Sequence, residues 1–215
     1  MDDSPNILLS TAYLPPVQYL SKFLLGPVKI ESQENYQKQS YRNRCYIYGA
    51  NGKQSLVIPV KKLSKEKTPI LEIEIDNCCN WQKIHLKSIE SAYKLSAFYD
   101  YYADDIKACF EKKTPLLFQW NLDLLLILLQ LLGIEHKPSL TVTWEKEPAH
   151  CQDFRQQLHP KNKKAKPDAH FNAAPYRQVF QERYGFMGNL SIIDLLFNEG
   201  PLALDLLKKS LRNTD

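Results

Sequence analysis

Chemistry in this chain concentrates first in residues 34–45, ENYQKQSYRNRC, which hold no glycine or proline and no aliphatic residue before the final Cys45. Lys38, Arg42 and Arg44 supply cationic donors, Asn35, Gln37, Gln39 and Asn43 supply amides, and Tyr36 and Tyr41 supply flat faces. That is the inventory of a polar ligand site. If the stretch is extended, Arg42 and Arg44 share one face and can grip a phosphate or carboxylate together. The competing reading is a solvated loop between strands. We take Tyr36, Lys38, Arg42, Asn43 and Arg44 as the substrate-binding set.

His85 is the candidate catalytic residue. It follows Trp81 by four positions, so both project from one helical face with Ile89 and Ala92. An imidazole is suited to take a proton from an amine or hydroxyl near neutral pH. The alternative is a core-edge histidine bonded to a backbone carbonyl. Asp194 reads as the acid of a capping box, Ser191-Ile-Ile-Asp194, rather than as a catalytic partner. Cys45 stands beside Arg44, which favours a thiolate, but it also opens a strand-like run and reads as a small buried hydrophobe.

Other chemistries lack their signatures. The sequence has no Gly-rich phosphate loop, no G-x-S-x-G, no H-E-x-x-H and no D-x-D; Asp104 and Asp105 are adjacent. Neither Cys78-Cys79 nor His150-Cys151 has zinc spacing, so no metal and no cofactor is expected. A net charge of +4, with 28 basic residues spread among 24 acids, suits an anionic small ligand better than nucleic acid. Five cysteines without C-x-x-C, behind an acidic start that is no signal peptide, imply a reducing, cytoplasmic setting. The Leu-rich run from Leu122 is too short to span a bilayer and contains Asp123 and Gln130, so no transmembrane segment is expected.

The elements that must position these residues follow from pattern. At 215 residues and 44% hydrophobic, one globular domain over 1–215 is expected. Residues 7–10 read as a buried strand, 17–26 as a helix and 28–31 as a second strand, a βαβ unit with parallel strands. Asn51-Gly52 joins two β-rich runs as a hairpin. The alternation in ILEIEI, residues 70–75, reads as a strand with one wet face. Helices are expected over 81–93 and 103–110 and then in the Leu-rich run, N-capped by Asn121 and closed by Gly133. SLTVTW from Ser139 reads as a strand. Residues 146–175 lack periodicity and read as a long mobile loop carrying the basic run KNKKAK. Two short helices close the chain at SIIDLLFNEG and PLALDLLKKSL. The expected class is therefore α/β, with a mixed β-sheet, a hairpin and a helical C-terminal half.

TAYLPPVQY, ENYQKQSYRNRC with the following NG and IPV, WQKIHLKSIESAY and NLSIIDLLFNEGP occur in that order over nearly the whole chain. Together they resemble the WbqC-like protein family. The resemblance implies a place in O-antigen or other surface-polysaccharide synthesis and, from a suggested glycine transfer onto a sugar, metal-independent acyl or aminoacyl transfer to a nucleotide-linked or lipid-linked sugar. Under that implication His85 is the general base, Arg42, Arg44 and Lys38 hold an anionic sugar-linked substrate, and Asn43 and Tyr36 position the reacting group. The rival implication is a non-catalytic sugar- or anion-binding or scaffold protein of the same pathway.

Overall fold

The computed structural model describes residues 6–63, 65, 67–161 and 165–212. Strand β1 (Asn6–Ser10) is followed by helix α1 (Val17–Ser21), a 3-10 turn (Lys22–Leu24) and strand β2 (Val28–Glu31). β1 and β2 pair in parallel, Ile7 opposite Val28 through Ser10 opposite Glu31, as the βαβ reading requires. Ile7, Leu8 and Leu9 are all buried, because a strand covered on both faces needs a continuous apolar run rather than alternation. Strands β3 (Arg44–Gly49) and β4 (Gly52–Val57) form the expected hairpin, and Gly52 takes the positive φ of 93° that its turn demands.

Helices α2 (Trp81–Tyr93), α3 (Tyr99–Glu111) and α4 (Leu117–Leu131) follow, then strands β5 (Ser139–Leu140) and β6 (Cys151–Asp153). The C-terminal part adds α5 (Gln181–Tyr184), α6 (Ile192–Glu199) and α7 (Ala203–Lys209). β5 and β6 join the first two strands in a four-stranded parallel sheet of order β5-β2-β1-β6. The fold is thus α/β, with the parallel and antiparallel pairings in separate sheets and the helices mainly in the later part of the chain. Among the described residues no helix is long and apolar enough to cross a membrane.

Several expectations change. Residues 70–75 are no continuous strand: a 3-10 turn (Ile70–Glu72) leads into two single bridges, Glu74 to Leu116 and Val60 to Ile75. Their apolar residues still point inward, with Ile70, Ile73 and Ile75 buried. α4 begins at Leu117, so Asn121 lies inside it and its amide nitrogen donates to the Arg42 carbonyl at 2.7 Å instead of capping. Gly133 follows that helix with φ 71°, as its C′ role requires. β5 stops at Leu140 because the Thr141 carbonyl turns to accept from the Ser32 hydroxyl at 2.7 Å. Within 146–175, read as loop, β6 completes the sheet and Phe154 and Arg155 are buried. The expected mobility of KNKKAK falls partly on residues 162–164, outside the described residues.

Ser191 is the N-cap of α6, but its side chain makes no capping bond. Asp194 instead turns into the core, where its carboxylate accepts from the Tyr176 hydroxyl at 2.7 Å and the Gln178 amide at 2.8 Å. The buried polar side chains of the last segment outcompete the helix terminus for it.

Candidate functional site

From β1 the chain moves to β2 and then β5 on one side, while β6 is added on the other side of β1. The side on which strands are added thus reverses at the β1/β6 boundary, and a cleft lies beyond the carboxyl ends of those strands. This is where ligands of open parallel sheets bind. Ser10, Thr11 and Ala12 form one wall as β1 ends, and Phe154, Arg155 and Leu158 form the other beyond β6; Tyr19, Tyr41 and Arg42 complete the lining. The cleft is narrow, about 10 Å³ in volume. One water, or one hydroxyl group, fits between the walls. Larger hollows lie elsewhere, one of them beside Phe23, His136 and Lys208, on the side where β2 and β5 begin.

The cleft is built on two buried ion pairs. The Arg42 guanidinium donates through Nε to Glu34 Oε1 at 2.8 Å, through Nη2 to Glu34 Oε2, and through the same nitrogen to Ser10 Oγ at 2.8 Å. The Ser10 hydroxyl donates in turn to Glu34 Oε2 at 2.9 Å. On the opposite wall Arg155 donates to Glu31 Oε2 at 2.8 Å and, in a fork, to both oxygens of Asp153 at 3.0 and 2.7 Å. Burial works against the Arg155 cation, but the hydrogen bond and charge of Asp153, then those of Glu31, outweigh it and raise its pKa. Two guanidiniums face three carboxylates, one negative charge in excess. The network offers acceptors and donors to hydroxyl groups better than it offers free positive charge to an anion.

Arg42 is the one residue of the expected set that lines the cleft. Residues 38–42 are turns rather than strand, so Arg42 and Arg44 are not aligned side by side. Arg44 opens β3, with its Nε buried and unpartnered. Asn43 is buried and donates to the Ile58 carbonyl at 2.9 Å. Tyr36 is buried too, and burial pushes its phenol up to about 12. Lys38 is exposed on the turn.

His85 lies in the core, 4% exposed, with Nδ1 2.8 Å from the Tyr13 hydroxyl and the Trp81 ring edge-on at 5.2 Å between centroids. Burial lowers its pKa to about 4, against a smaller opposing effect of its hydrogen bond to the Val57 backbone. A ring that donates to Val57 accepts the Tyr13 proton with its other nitrogen, which leaves no lone pair for a substrate. Cys45 is buried and its thiol pKa is pushed well up by burial, which removes the nucleophile reading.

Ser10 and Thr11 were within reach of sequence reasoning, because the residues that end the first strand of a βαβ unit stand at the usual ligand crevice. Arg155 gave no such signal, since β6 carries no period of its own.

The model of the WbqC-like protein family matches residues 11–166, a span that includes Arg42 and Arg155 on opposite walls of the cleft. Over 226 residues the chain is 27% identical to the uncharacterised protein Rv1507c of Mycobacterium tuberculosis (strain ATCC 25618 / H37Rv), covering 94% of either chain. No solved structure matches it.

Proposed function

The chain belongs to the WbqC-like protein family, and from that premise and the chemistry of its cleft we propose that it acts on the sugar part of an activated, nucleotide-linked or lipid-linked sugar in surface-polysaccharide synthesis. The proposed reaction is acyl or aminoacyl transfer to a sugar amine or hydroxyl. The carrying observation is the hydroxyl-sized cleft lined by Ser10, Arg42 and Arg155, behind which Glu34, Glu31 and Asp153 stand as their partners. The guanidinium edges donate to a sugar hydroxyl and the Ser10 hydroxyl both donates and accepts, so a hydroxyl suits this lining. The Ser10 hydroxyl, which lines the cleft, donates to Glu34, so a group bound there is one hydrogen bond away from a carboxylate.

One observation favours a second reading, a non-catalytic sugar-binding protein of the same pathway. The only imidazole singled out as a base, His85, is occupied by Tyr13 and the Val57 backbone and does not line the cleft. Incubation of the purified protein with nucleotide sugars and activated amino acids, read by mass spectrometry, separates the readings. A residue-sized mass gain on one sugar supports transfer. Sugar binding by calorimetry with no mass gain supports the binder, and no binding of any sugar refutes both.

A further inference from the structure

Residues 142–144 form a short arch whose two ends are tied to one buried ion pair. At one end the Thr141 hydroxyl donates to Glu31 Oε1 at 2.6 Å. At the other, Arg155 Nη2 donates to the Glu145 carbonyl at 2.8 Å while its Nη1 holds Glu31 Oε2 at 2.8 Å. The arch therefore runs from the end of β5 to Arg155, a lining residue of the cleft, with both of its ends anchored. Between those ties stand Val142, 87% exposed, and Trp144, 52% exposed. The other two tryptophans, Trp81 and Trp120, are only 2% and 3% exposed.

We propose that Trp144, with Val142 beside it, is a stacking subsite for the C–H face of a pyranose ring, one hydroxyl of which enters the cleft. The inference rests on the sugar-directed reading above and adds what holds the ring. The cleft takes a hydroxyl but not a ring, so the ring must lie outside the walls, to one of which Arg155 ties the arch. One face of a pyranose is a set of weakly positive C–H groups, which the negative face of an indole attracts and desolvates. A fixed arch offers this platform without an ordering cost on binding.

Because Trp144 is the one substantially exposed tryptophan, quenching by acrylamide reports on it selectively. The probes are methyl glycosides of neutral, N-acetylated and acidic pyranoses, the corresponding UDP-sugars, and UDP alone. A pyranose probe that binds by calorimetry is expected to shield the exposed tryptophan. Trp144→Ala is expected to weaken that probe about tenfold or more, Trp144→Phe to stay within about threefold of the parent, and both to melt as the parent does. Shielding by UDP alone would assign the platform to a base and overturn the proposal. A probe that binds without shielding, or with equal affinity to Trp144→Ala, overturns the subsite while the cleft reading stands. Failure of every sugar to bind the parent protein removes both.

Discussion

The environment of His85 makes a pH-dependent stability that decides between its two roles. Its folded pKa of about 4 lies below the ordinary 6.5, so the neutral ring is favoured in the folded protein. A base with a lowered folded pKa contributes fully above its unfolded pKa and loses that contribution as pH falls from 6.5 toward 4. The whole gap corresponds to about 3 kcal/mol, and the part lost between pH 7 and pH 5 is about 2 kcal/mol. Urea unfolding of the parent and of His85→Gln at pH 7, 6 and 5 isolates this term, because other titrating groups act on both proteins. The parent should lose about 2 kcal/mol more than the variant over that interval. Parallel profiles would mean that His85 titrates as an ordinary, accessible imidazole, and would return it to the list of candidate bases.

Arg155→Met leaves Glu31 buried without its cation and should cost about 3 to 5 kcal/mol in urea unfolding; a second change, Glu31→Gln, should recover part of that loss. Gly200→Ala puts a methyl 2.5 Å from the Phe98 ring at a φ of 52°, so the melting temperature should fall by an amount equivalent to about 1 to 3 kcal/mol. Burial raises the pKa of Asp194, against the hydrogen bonds from Tyr176, Gln178 and Tyr93, so its contribution is lost as pH rises from 3.8 through the raised value. Stability curves of the parent and Asp194→Asn should therefore shift in the variant's favour across that rise, and a shift the other way would refute the assignment.

What the sequence disclosed follows the range of the interactions involved. β1, the hairpin and α2 are set by local pattern, an apolar run, an Asn-Gly turn and helical spacing, and their positions agree with the structure within a residue or two. β6 is three residues, Cys151–Asp153, whose pairing is dictated by a strand far away in sequence, so no local period marks it. The cleft divides the same way. Arg42 was visible as a charge in an unusually polar segment, but its satisfaction by Glu34 and Ser10 was not, because two of those three residues meet only after the sheet forms. Arg155 stood in a stretch without pattern and was invisible.

The polar stretch at 34–45 is best understood through where its bonds go. Arg42 neutralises Glu34, Asn43 satisfies the Ile58 carbonyl, the Ser40 hydroxyl donates to the Gln37 carbonyl at 2.6 Å, and the Tyr41 carbonyl accepts the Tyr13 amide at 2.9 Å. A partly buried, non-repetitive segment such as residues 36–43 must satisfy its backbone and its neighbours with side chains, since it has no ladder of its own. Aliphatic residues there would leave those groups orphaned. Its charges are thus largely consumed in building the wall, and what remains for a ligand is the surface of that wall, with the Ser10 hydroxyl and the guanidinium edges. The same holds for the other resembling motifs, in which Tyr13 and His85 serve one another and Asp194 serves Tyr176 and Gln178 in the core. The motifs therefore specify the frame, and under the sugar-directed proposal specificity for a particular sugar would fall to residues outside them, such as Arg155 and Trp144.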